Sequence, residues 1–102
     1  MTGSAKSFEP IELENPAGPN LAFVGRKLFD GDYHDLGFVR IYETQGGQYV
    51  LRQRWSRRPG EILLDRLEIG ATLDGLVALL KPGRSAGEVR KALGMPDIIT
   101  ID

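Results

Sequence analysis

From Phe38 to Ile69 apolar and polar residues alternate in the two-residue rhythm of β-strands, and turn residues break the run twice. Gly46-Gly47 predicts one hairpin turn and Arg58-Pro59-Gly60-Glu61 a second, giving three consecutive antiparallel strands. A two-residue Gly-Gly loop sets Thr44 against Tyr49, Tyr42 against Leu51 and Phe38 against Trp55. The Pro-Gly turn sets Arg58 against Glu61, Trp55 against Leu64 and Arg54 against Asp65. Cross-strand partners share a face. One face is therefore expected to hold Phe38, Arg40, Tyr42, Tyr49, Leu51, Trp55, Ile62 and Leu64. Its reverse holds Val39, Ile41, Val50, Arg52, Arg54, Leu63, Asp65 and Leu67. A slip of one residue in either turn exchanges these assignments.

Upstream, Leu21 to Phe29 reads as a further strand, in which Gly25 marks a bulge or the close approach of another backbone. Asp30 to Gly37 is rich in turn formers. Residues 1–20, with Pro10, Pro16 and Pro19, read as a flexible N-terminal arm. The alternative is that Phe8, Ile11 and Leu13 lay part of that arm over the reverse face of the sheet.

After Gly70 the period changes. Thr72 is placed to cap a helix carrying Leu73, Leu76, Val77 and Leu80 on one stripe, stopped by Lys81-Pro82-Gly83. Ser85 and Glu88 have the spacing of a capping box for a second helix, which Gly94 and Pro96 terminate. Ile98, Ile99 and Ile101 suit a short edge strand. The fold class is α+β: residues 21–102 form a single domain, an antiparallel β-meander of about four strands followed by two C-terminal helices packed on one face. The aromatic face is the larger apolar surface, so the helices are expected there, over Trp55.

Composition narrows the function classes. The 102 residues include no cysteine, which excludes disulfide staples and thiolate metal sites and suits a reducing, cytoplasmic setting. No apolar run is long enough to span a membrane, and the opening residues lack the apolar block of a secretory signal. Net charge is -1 but uneven: residues 1–35 carry three bases and six acids, and residues 36–69 carry six arginines and four acids.

Three candidates for chemistry follow. Arg52, Arg54, Arg57 and Arg58 surround Trp55, and guanidinium groups beside an aromatic ring can track a phosphate backbone and stack bases. The bland reading of the same residues is a solvated face with pairs such as Arg54–Asp65 and Arg58–Glu61. The run Asp30-Gly31-Asp32-Tyr33-His34-Asp35 gathers carboxylates, yet lacks the distal Glu of a calcium loop, so turn chemistry accounts for it and no metal is expected. His34 is the only histidine, and no nucleophile motif accompanies Ser56, Ser85 or Thr100, so neither enzymatic activity nor a cofactor is expected. Finally, Val39, Ile41, Val50, Leu63 and Leu67 would leave an apolar patch on the reverse face, the kind of surface that meets a partner.

Phe23-x-Gly25-Arg26-x-Leu28, then Ile41-Tyr42-x-Thr44-x-x-Gly47-x-Tyr49-Val50, then the closing Ile99-Thr100-Ile101-Asp102 together resemble the small bacterial EXLDI proteins over roughly residues 21–102. The tail departs from the naming motif: Thr100 takes the middle place, no Glu precedes it and the final Ile is missing. The resemblance implies no activity and no catalytic residues. The Arg- and Trp-bearing sheet is also similar to the single-strand-binding sheets of a transcriptional coactivator family. The leading expectation is a small non-enzymatic protein-interaction module, homodimeric or bound to another protein. The alternative is a nucleic-acid-binding module that contacts single strands or backbone.

Overall fold

The computed structural model describes residues 7–95. Five antiparallel strands run in chain order across one curled sheet: β1 (Glu9–Leu13), β2 (Leu21–Tyr33), β3 (Gly37–Thr44), β4 (Tyr49–Arg58) and β5 (Glu61–Gly70). Two short helices follow, α1 (Leu73–Val77) and α2 (Arg84–Ala92). The α+β class and the antiparallel meander match the expectation, and the strand count exceeds it by one. The extra strand is β1, drawn from the stretch expected to be a flexible arm. It pairs along β2 with Ile11 opposite Phe23 and Leu13 opposite Leu21. Pro10 is tolerated there because β1 lies at the sheet edge, where a missing N–H can face outward. The edge strand anticipated at Ile98, Ile99 and Ile101 falls outside the described residues.

The second hairpin keeps its expected pairs of Arg58 with Glu61, Trp55 with Leu64 and Arg54 with Asp65, but between them the ladder shifts twice and sets Ser56 opposite Ile62. The first does not. Thr44 donates its N–H to the Gln48 carbonyl at 2.8 Å, and its hydroxyl accepts the Gln48 N–H at 3.0 Å. The loop therefore holds three residues, Gln45-Gly46-Gly47, with Gly47 at φ 86°, a conformation that glycine adopts without strain. Tyr42 faces Val50, Ile41 faces Leu51 and Phe38 faces Arg54. Every β4 side chain is thus on the opposite side, relative to β3, from the one a two-residue loop would give.

The helices accordingly cover the face of Val39, Ile41 and Leu51, not the face of Phe38 and Tyr42. Those three side chains are sealed with Leu36, Leu76, Val77, Leu80, Ala86 and Val89, and Phe29, Tyr33 and Tyr49 pack against the cluster. A second, smaller cluster of Leu13, Tyr42 and Val50 lies on the other face, closed over by Ile11, Leu21, Phe23 and Leu67. Phe23 meets Tyr42 edge-on at 5.8 Å between ring centroids.

β2 serves both clusters because of a bulge. Lys27 lies opposite Tyr42 and Phe29 opposite Ile41, so Leu28 is an extra residue in the ladder. Odd-numbered side chains before it, such as Phe23, face the small cluster, and those after it, such as Phe29, face the helices. Gly25 is not the bulge. A Cβ there would stand 2.5 Å from the Glu43 carbonyl oxygen, so the residue marks a close backbone approach.

Thr72 caps α1 as its position predicts, accepting the Gly75 N–H at 3.0 Å. The capping box at Ser85 and Glu88 is not formed. α2 starts from Gly83, and Ser85, already inside the helix, donates its hydroxyl to Asp35 at 2.6 Å. Its last turn closes with Met95 N–H on the Arg90 carbonyl and Gly94 N–H on that of Lys91.

Candidate functional site

The chemistry-bearing residues gather where β3 begins and the β4–β5 hairpin continues past it. Gly37, at φ 71°, is where the chain from β2 meets β4, and a Cβ on it would stand 2.2 Å from the Arg54 carbonyl oxygen. Beyond that crossing the hairpin from Trp55 to Leu64 has no β3 partner. Its Pro-Gly turn carries Arg57 and Arg58, whose side chains are 64% and 70% exposed and reach Glu61 only at 3.9 and 3.6 Å. Arg54, nearer the sheet, stands 4.0 Å from Asp65. Open pairs at such distances contribute little and leave the guanidinium groups available to solvent.

Between this hairpin and the β2–β3 turn lies an open notch of about 500 Å³, lined by Asp32, His34, Phe38, Arg54, Trp55 and Ser56 among others. Trp55 is half-buried, neither sealed under the helices as expected nor free on a face. Its Nε1 donates to the His34 carbonyl at 2.9 Å, which ties the hairpin to the β2–β3 turn. The ring also borders a smaller depression with Leu63, Leu64 and Leu79.

Arg52 differs from its neighbours. It is buried on the small-cluster face, donates to Asp65 and to the carbonyls of Gln53 and Arg66, and has Glu14 at 3.9 Å. A guanidinium spent in this way is structural, so Arg52 does not join Arg54, Arg57 and Arg58 as a surface for phosphate. Alternation hid this, because Arg52 and Arg54 share a parity and only the closing-over of β1 separates their environments.

The expected interaction patch is divided in the same manner. Val39 and Ile41 are fully buried under the helices, and Val50 is buried in the small cluster. Leu67 is half-buried against that cluster and Leu63 is exposed. The three-residue loop explains the outcome, since it turns Val50 away from Ile41 and puts each against its own core. The large apolar side chains that remain exposed among the described residues are Phe8, Val24, Ile62, Leu63, Ile69 and Leu79. Three of these six lie on β5, and no sequence signal marked Ile69.

The acidic turn disperses its carboxylates. Asp30 takes Lys27 at 2.8 Å and Arg40 at 3.4 Å, and these contacts hold its carboxyl below the usual range. Asp35 is likewise lowered, chiefly by the Ser85 hydroxyl. Among the described residues no three His, Asp or Glu side chains converge on one point. Ser85 donates directly to a carboxylate that is a weak base, which is not the arrangement that activates a nucleophile. No described helix is long and apolar enough to cross a membrane.

No family model, no curated protein and no solved structure matches the chain.

Proposed function

We propose that this chain is a small, non-enzymatic protein-interaction module that acts in the cytoplasm as a homodimer. The observation that carries the reading is β5. It is a ten-residue strand at the end of the sheet with Ile62, Leu63 and Ile69 exposed. Exposed apolar groups of this kind are characteristic of surfaces that meet another protein. Sedimentation equilibrium of the full chain tests the reading. The expected mass is twice the 11.3 kDa of one chain. A single-chain mass at high micromolar concentration sinks the homodimer.

A second reading, a nucleic-acid-binding module, draws support from Arg54, Arg57 and Arg58, exposed on one projecting hairpin beside Trp55. Arg40 stacks on Phe38 at 4.3 Å on the adjoining strand. Phosphate contacts release counterions, so affinity for a single-stranded oligonucleotide should fall steeply as salt rises. Absence of any anisotropy change at low salt rules this reading out.

A further inference from the structure

We propose that β5 pairs with β5 of a second copy, antiparallel about a two-fold axis through Leu67, so that two five-stranded sheets become one of ten strands. The inference rests on the homodimer reading above and names its interface.

The two sheet edges are unequal. β1 is five residues long and carries Pro10, Glu9 and Glu12, the features that blunt an edge against further pairing. β5 is twice as long, contains no proline, and has a neighbour on one side only among the described residues. Its outer backbone groups are a template for another strand.

Symmetry then restricts the register. An antiparallel two-fold stands perpendicular to the sheet and keeps each face on its own side, so it must pass through a residue, which lies opposite its own copy. Centring on Asp65 sets carboxylate against carboxylate, and centring on Arg66 sets guanidinium against guanidinium. Both are unfavourable for cross-strand neighbours. Centring on Leu64 brings Ile62 against Arg66 and Leu63 against Asp65. Centring on Leu67 places leucine on leucine at the axis and Arg66 against the second copy's Glu68, twice over. It also sets Ile69 opposite the second copy's Asp65, with Leu63 and Leu67 diagonal to it.

Glu68 supplies independent support. It is half-buried on the helix-covered face and forms no ion pair among the described residues, whereas Arg66, beside it, is already oriented by Gln53 and Leu79. A cross-strand Arg66 fits that carboxylate. Such charge pairs fix register and the apolar groups supply affinity.

The test uses the full chain, whose lack of cysteine makes single-site labelling clean. Ile69→Glu should weaken self-association about tenfold or more, because it sets a carboxylate opposite the second copy's Asp65. Val24→Glu, likewise at an exposed position but on β2, should leave it unchanged. A spin label at Ile62→Cys lies five residues from the axis. The two labels should therefore be about 33 Å apart along the strands, against about 26 Å for an axis at Arg66 and about 13 Å at Leu64. A dimer mass with a label distance far from 33 Å, or with Ile69→Glu and Val24→Glu indistinguishable, overturns β5 pairing and leaves the homodimer standing. A monomer overturns both.

Discussion

A single oxygen of Gln53 accepts two hydrogen bonds from Arg66, from Nε at 3.0 Å and from Nη2 at 2.8 Å. The amide nitrogen of Gln53 donates to the Leu36 carbonyl at 2.8 Å, and Arg66 Nη2 continues to the Leu79 carbonyl at 2.8 Å. One buried glutamine thus joins the β2–β3 turn, two strands and the end of α1. Buried polar groups stabilise when satisfied and cost heavily when stranded.

Gln53→Leu should therefore destabilise the protein although it adds apolar volume. The Leu36 carbonyl alone, left unpaired, costs about 1–3 kcal/mol. Urea unfolding followed by Trp55 fluorescence measures the change. A loss below about 0.5 kcal/mol, the scatter of ordinary surface substitutions, would mean the network carries no weight.

Arg52 and Asp65 form the corresponding pair on the other face. Removing Arg52 leaves the half-buried Asp65 with Arg54 at 4.0 Å and without its close partner, so Arg52→Ala should cost about 1–3 kcal/mol. Replacing both, as in Arg52→Met with Asp65→Leu, should recover much of that loss. If the double variant is the less stable of the two, the pair is not what Arg52 contributes.

Asp35 makes stability sensitive to acid. Its carboxyl is lowered mainly by the Ser85 hydroxyl, so the folded state binds its proton less readily than the unfolded chain. That contribution is complete above the ordinary carboxylate range and is lost as pH falls through the lowered folded value. Ser85→Ala should raise the Asp35 pKa toward its ordinary value, read by carboxyl NMR titration, and flatten the acid limb of the stability curve. An unchanged Asp35 titration would show that the hydroxyl is not the cause.

Deleting Leu28 removes the extra residue of the β2 bulge. Lys27 then stays opposite Tyr42 and Phe29 opposite Ile41 in a regular ladder, so Phe23 and Leu21 keep their place against Tyr42. Hydrogen exchange should show protection retained both at Glu9–Leu13 and near Ile41 and Leu51. Loss of protection in either region contradicts Leu28 as the extra residue of the ladder.

The sequence-derived picture succeeded where chemistry left one option. Pro59-Gly60 admits a two-residue turn with positive φ at the glycine, and the observed register of β4 on β5 follows. Gly46-Gly47 admits loops of two or three residues, and the choice fell to the Thr44–Gln48 contact, which only the folded chain forms. Everything that depended on that register, from the place of the helices to the burial of Val39, Ile41 and Arg52, changed with it. The bulge left no signal either, because Lys27-Leu28-Phe29 alternates as an unbroken strand would. Prolines in the first twenty residues read as a flexible arm, although at an edge they permit β1. Arg54, Arg57 and Arg58 were readable as exposed because turns and edges are solvated whatever the register.

β2 belongs to both hydrophobic clusters through one continuous backbone, Phe23 on one side and Phe29 on the other. Neither cluster can melt without releasing the strand that walls its neighbour. Heating should therefore give one calorimetric transition for the whole sheet, although its apolar residues lie in two separate groups.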